Sequence, residues 1–403
     1  MTNWREVKLG DICDVRDGTH DTPKESSEGK YLVTSKHIKG GKIDLSSAYK
    51  ISLEDFNFVN QRSKVDKWDI LISMIGTVGE ICLVSEYPDF AIKNVGLIKT
   101  GNEHLARYLY YYLKSTVAQN NILSRLKGTT QQYLSLGEIR NFPIVLPPID
   151  IQKKIAEVLG ALDDKIELNN KINNNLEQQA QALILEFIQQ TDQEIPLGDL
   201  ITFTNGFAFK STDYLVSGKY KIITIKNVQD GKVDSQGASQ LDELPDRLPN
   251  DCCLSVGDVL LSLTGNVGRV GIVTEENLLL NQRVAKLNAK EAVFLPFLYF
   301  YMRLPSMKTE MENISKGTAQ QNLSPVETLK LKIPFEKEKI LSLSKTLSSF
   351  FDQIVYNFIQ NRKLSALRDT LLPKLMKGEI DVSNVDISDL TSTDKLSFSE
   401  AQQ

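Results

Sequence analysis

Two stretches of the chain carry the same spacing of apolar side chains. From Ile155 the positions advance by steps of four and three, through Leu159, Leu162 and Ile166 to Asn169 and Asn173, then on through Leu176, Ala180, Leu183 and Phe187. Moved on by 188 residues, the same steps fall on Leu343, Leu347, Phe350, Ile354, Asn357, Asn361, Leu364, Arg368, Leu371 and Leu375. A period of 3.5 sustained over four turns or more is a heptad seam, and it predicts a coiled coil. Pro147-Pro148 and Pro334 mark where the helices begin, and Gly378 marks the end of the second. Each seam has two asparagines at its middle. A seam Asn costs stability but fixes register, because its amide needs a polar partner. An antiparallel pair sets Asn169 against Asn361 and Asn173 against Asn357; a parallel pair sets Asn169 against Asn357 equally well. The choice rests on topology, since antiparallel helices place the two intervening globular units at opposite ends of a rod, related by a pseudo-two-fold. The 33-residue seam would span ~50 Å. The alternative is two separate amphipathic helices, each packed on its own domain.

The segments before these helices read as mixed α/β, and they too are given twice. Val7-Lys8-Leu9-Gly10-Asp11 returns as Ile195-Pro196-Leu197-Gly198-Asp199, and Gly41-Lys42-Ile43-Asp44 as Gly231-Lys232-Val233-Asp234. Short strands are expected at Tyr31 to Thr34 and Tyr220 to Thr224. The clearest are Asp69 to Ser73 and Asp258 to Ser262, each running into a Gly-x-x-Gly turn and a second apolar strand. Aromatic-rich helices follow, Leu105 to Val117 and Leu295 to Met302; their rings are core, or else platforms on which bases stack. A repeat near 190 residues is a duplicated domain, not a solenoid. The expected division is 1–150, a helix over 151–190, 191–335, a second helix over 336–378, and a polar acidic tail over 379–403 without periodicity, expected to be disordered.

Composition narrows the class. With 41% hydrophobic and 24% charged residues, the chain is an ordinary globular one. The start, Met1-Thr2-Asn3-Trp4, lacks a signal-peptide core and no apolar run approaches a membrane span, so a cytoplasmic protein is expected. Four cysteines without a Cys-x-x-Cys, and three histidines, fit neither a disulfide framework nor a zinc site. The net charge of -4 is awkward for a nucleic-acid binder, whose usual footprint is a basic stripe. DNA binding would then need local basic surface, or cationic partners.

Candidate chemistry sits in loops. Lys127-Gly128-Thr129-Thr130-Gln131-Gln132 returns as Lys316-Gly317-Thr318-Ala319-Gln320-Gln321. Glutamine can hold adenine bidentately, while lysine and glycine N–H groups can take phosphates. The competing reading is a capped turn in which Thr and Gln close backbone hydrogen bonds. Lys36 with Lys42 recurs as Lys226 with Lys232, as phosphate ligands or as solvated charges. His20, His37, Arg62, Lys93, Arg247, Arg269 and Arg283 differ between the copies, as two readers of different sequences require. Enzyme classes fare worse. The only double proline, Leu146-Pro147-Pro148-Ile149, lacks the polar and aromatic flanks of a DNA methyltransferase site, neither Pro-Asp is followed by a nuclease motif, and no Walker loop exists. A coiled-coil adaptor without sequence-specific DNA binding is the other alternative.

Taken together, the strand, glycine turn, apolar helix, Gly-Thr-x-Gln-Gln loop, proline-marked start and heptad helix, all given twice, resemble the specificity subunit of type I restriction-modification systems. The resemblance implies two target-recognition domains that read the halves of a bipartite DNA sequence, with the helices as spacer and as docking surface for two modification subunits. It further implies a non-catalytic chain, with adenine-N6 methylation and ATP-driven cleavage in the modification and restriction subunits. S-adenosylmethionine, ATP and Mg²⁺ would belong to those partners.

Overall fold

The computed structural model describes residues 4–316 and 321–382. Two compact units divide the chain, one of residues 1–165 with 363–403, the other of residues 166–362. The residues set apart as helical spacers form helices Ile149–Gln189 and Lys337–Met376, but the division runs through both of them. The reason lies in apolar positions beyond the seam. Ile184 and Phe351 are buried although neither is a seam residue, so the stripe is wide enough to face both a partner helix and a globular core.

In the first unit, an antiparallel sheet orders Asp14–Asp17, Val95–Lys99, Ile70–Ser73 and Ile81–Leu83. Beside it, Lys30–Thr34 lies parallel to Phe90–Lys93. Every residue of Ile70–Ser73 is buried, which is why this strand reads as a continuous apolar run rather than an alternation. The aromatic helix Glu103–Lys114 buries Tyr108, Tyr111 and Tyr112 against Ile155 and Leu159 of the first long helix and Leu372 and Leu375 of the second. Those rings are therefore core. The charged seam residue Arg368 donates to Asp163 at 2.7 Å, whose other oxygen accepts from Tyr111 Oη at 2.9 Å, so the half-buried carboxylate is satisfied twice. The acidic tail begins later than expected: Glu379 N–H donates to Lys374 O, and Ile380 and Val382 pack into this same core. Residues 383–403 lie outside the described residues.

The second unit repeats the plan with a five-stranded sheet, Ile201–Asn205, Val284–Ala289, Val259–Ser262, Val270–Ile272 and Gly231–Lys232. Within Leu295–Met302 every residue from Pro296 on is buried, with Phe297 edge-to-face against Phe187 and Tyr299 against Phe351. Within this unit the long helices run antiparallel. Asn169 Nδ2 donates to Asn361 Oδ1 at 2.9 Å and to Gln360 Oε1 at 3.2 Å; Asn357 Nδ2 donates to Asn173 Oδ1 at 2.7 Å. Gln353 and Asn170 extend the polar layer. Apolar layers continue from it through Leu176 and Ala180 toward Leu347 and Ile340.

Candidate nucleic-acid interface

The loop over residues 127–133 is closed by its backbone. Lys127 N–H donates to Tyr133 O and Tyr133 N–H to Lys127 O, both at 2.9 Å. Gly128 sits at φ +91°, and a Cβ there would lie 2.5 Å from Gln131 O, so only glycine makes this turn. Thr129, Gln131 and Gln132 are exposed. Among the described residues no hydrogen bond from their side chains is made, so the reading in which Thr and Gln cap the turn does not describe this loop. Lys127 Nζ pairs with Glu138 at 3.1 Å, as does Arg125. These two cations hold the Glu138 carboxyl below the usual carboxylate range, Lys127 first. The second copy closes in the same way, Lys316 N–H to Asn322 O at 3.0 Å and Asn322 N–H to Lys316 O at 2.8 Å. Lys316 and Gln321 are exposed, whereas Gly317, Thr318 and Gln320 lie outside the described residues.

Other loops gather around this one. Leu134 N–H donates to Met74 O and Ile75 bridges to Tyr133, which sets the turn over residues 76–79 alongside. Gly76 and Gly79 have positive φ, and Ser73 Oγ ties the turn to Thr77 O and Glu80 N; a tight hairpin accounts for the glycines. Ser35 Oγ donates to Asn94 O and accepts from Met74 N–H, bringing the turn that exposes Lys36 to the same place. The second unit repeats these links: Gly265 N–H to Gln321 O, Leu323 N–H to Leu263 O and Leu263 N–H to Arg283 O. A Cβ on Gly265 would touch Ile225 beside the exposed Lys226. In each unit, then, loops far apart in sequence converge at one end of the central strand. Lys42 and Lys232 stand at the margin of these clusters. They lie on short strands beside Gly41, which faces Tyr110, and Gly231, which faces Arg303.

His37 is not a reader. It is buried, its Nδ1 accepts from Thr34 N–H at 2.9 Å, and burial pushes its imidazole below the ordinary value. Asn227 holds the matching turn in the second unit, accepting from Thr224 N–H at 3.0 Å. Asn94 and Gln282 belong to the loop clusters but were not singled out in the sequence. They lie where the copies differ in length by one residue, and no motif marks them.

The chain matches the family model described as "Type I restriction modification DNA specificity domain" twice, over residues 1–178 and 190–366. It is 24% identical to the type I restriction enzyme MjaVIII specificity subunit of Methanocaldococcus jannaschii, over 95% of this chain and 94% of that one. It is 30% identical to the EcoBI specificity subunit of Escherichia coli over 51% of this chain and 46% of that one. The crystal structure of a type I restriction-modification S subunit from M. genitalium superposes with a TM-score of 0.55 at 19% identity, covering 93% and 96% of the two chains. That likeness speaks to the fold.

Proposed function

The chain belongs to the type I restriction-modification DNA specificity family, and from that premise we propose that each repeated unit reads one half of a bipartite DNA sequence through its loop cluster. The observation that supports this is the convergence itself. In both units a loop of the same make-up stands beside a glycine turn and a lysine-bearing turn, and in the first unit its Gln and Thr side chains have no hydrogen-bond partner among the described residues. Side chains left unpaired on a pinned backbone suit an external ligand.

The remaining work falls to partners. Two modification subunits dock on the long helices and carry S-adenosylmethionine for adenine-N6 methylation; restriction subunits carry ATP and Mg²⁺. This chain contributes no catalytic group. Among its described residues no helix is long and apolar enough to cross a membrane. A net charge of -4 gives the isolated chain few phosphate contacts, so partners supply much of the grip, and affinity falls with salt by ~0.9 per phosphate neutralised on a log–log scale. The test is selection of bound DNA from a randomised library by the chain assembled with its modification subunits. Two short specific blocks separated by a fixed gap are expected, and selection of no sequence would overturn the reading.

In this reading the helices set the gap. Each runs unbroken past the residue where the units divide. One heptad inserted into both lengthens each by ~10 Å, which adds about three base pairs to the required spacer at ~3.4 Å per pair. An unchanged spacer would leave the helices as a docking platform alone.

A further inference from the structure

One turn in the second unit offers two side chains that no described residue holds by a hydrogen bond or ion pair. Residues 281–284 form a β-turn closed by Val284 N–H to Asn281 O at 2.9 Å, with Gln282 and Arg283 as its two corners. The backbone of this turn is pinned on every side. Asn281 N–H donates to Ile223 O, Gln282 N–H to Phe207 O at 3.0 Å, and Arg283 O accepts from Leu263 N–H at 3.1 Å. Both corner side chains are exposed, and neither makes a hydrogen bond or ion pair with any described residue. A guanidinium and an amide, each able to bond in pairs, thus project from a fixed frame within the loop cluster.

The matching link in the first unit, Lys93-Asn94, is one residue shorter and closed on itself. Asn94 Oδ1 lies 2.8 Å from His20 Nδ1, His20 Nε2 lies 3.0 Å from Asp17, and Arg62 takes the other oxygen of Asp17. The same frame therefore presents free forks in one copy and a knitted polar surface in the other.

We propose that Gln282 and Arg283 are the base-reading side chains of the second unit in the major groove of double-stranded DNA, Arg283 bidentate to guanine O6 and N7 and Gln282 to adenine N6 and N7. The inference rests on the DNA-reading function proposed above. Loop residues common to both copies, such as Lys316, then hold the backbone without regard to sequence. A frame already fixed by hydrogen bonds leaves only side-chain rotamers to be ordered on binding.

The test uses the chain assembled with its modification subunits and a library randomised over both half-sites. Arg283→Ala should lose roughly ten- to hundred-fold preference at one guanine of one half-site and leave the other half-site unchanged. Gln282→Glu should move preference at its position from adenine to cytosine, whose N4 amino group a carboxylate accepts. Lys316→Ala, by contrast, should weaken all sequences alike and lower the salt slope by about 0.9. If the parent complex is specific yet both turn variants keep every base preference, or Arg283→Ala weakens all sequences equally, the assignment to Gln282 and Arg283 falls and the DNA-reading function stands. A parent complex without base preference would overturn that function, and this assignment with it.

Discussion

Single side chains decide how freely each loop can meet a ligand. Lys127 shares Glu138 with Arg125, so a phosphate must compete with a carboxylate already in place. Glu138→Gln removes that competitor while keeping the shape, and DNA affinity of the assembled complex should rise severalfold at low salt and converge with the parent at high salt, as screening requires. Titrations at two salt concentrations would check this. His37 makes the first unit sensitive to acid. Its folded pKa lies below the ordinary 6.5 because burial disfavours the charged ring, an effect partly offset by the Ser47 carbonyl and by Asp44, while Lys36 and Lys39 add to it. The unfolded chain therefore takes up the proton first: stability is full above about pH 6.5 and is lost as pH falls toward the folded value. His37→Asn borrows the residue that performs the same bond in the other copy and should flatten this loss between pH 7.5 and 5.5 in thermal melts. An unchanged pH dependence would exonerate His37.

At the scale of elements, the asparagine layer trades stability for register. Asn173 donates nothing through its Nδ2, which is buried without a partner among the described residues, yet its Oδ1 satisfies Asn357. Asn173→Leu alone would strand the Asn357 amide and should cost about 1–3 kcal/mol. Asn173→Leu with Asn357→Leu removes both polar groups and should exceed the parent in stability, since the exposed Gln353 can turn to solvent. Denaturant titration of the two variants decides this, and a double variant no better than the single would mean that the layer stabilises the pair. The asparagine pairs were legible in sequence because a polar residue in an apolar seam has few places to go. Gln353, Gln360 and Asn170 were not, because nothing in a heptad tells which flanking amide joins the layer.

For the whole molecule, the compact units define what can be exchanged. The first unit's core joins Tyr108 and Tyr112 to Ile155, Leu159, Leu372 and Leu375. Replacing residues 1–150 alone with another such domain would leave the helix-end part of that core behind, and large apolar mismatches cost about 1–5 kcal/mol each. Replacing residues 1–165 together with 363–382 keeps the core whole. The larger exchange should fold with a Tm near the parent and change one half-site only, while the smaller should melt several degrees lower. Equal melting of the two would show that the helix ends contribute little to the unit.

The sequence by itself determined the duplication, the two long helices, their facing asparagines and the strand that runs into each glycine turn. These follow from local periodicity and from short motifs whose spacing is a property of the chain. Only the tertiary structure decided which loops meet. Residues near 35, 75, 94 and 130 come together because sheet pairing brings the ends of separate strands to one edge, and no local pattern encodes that proximity. It likewise decided that His37 is a buried turn residue while Arg283 stands exposed, since burial and pairing depend on neighbours far along the chain. The limits of the units came from packing too: a helix is written in its own heptads, but the core it joins is chosen by the faces that the rest of the fold leaves uncovered.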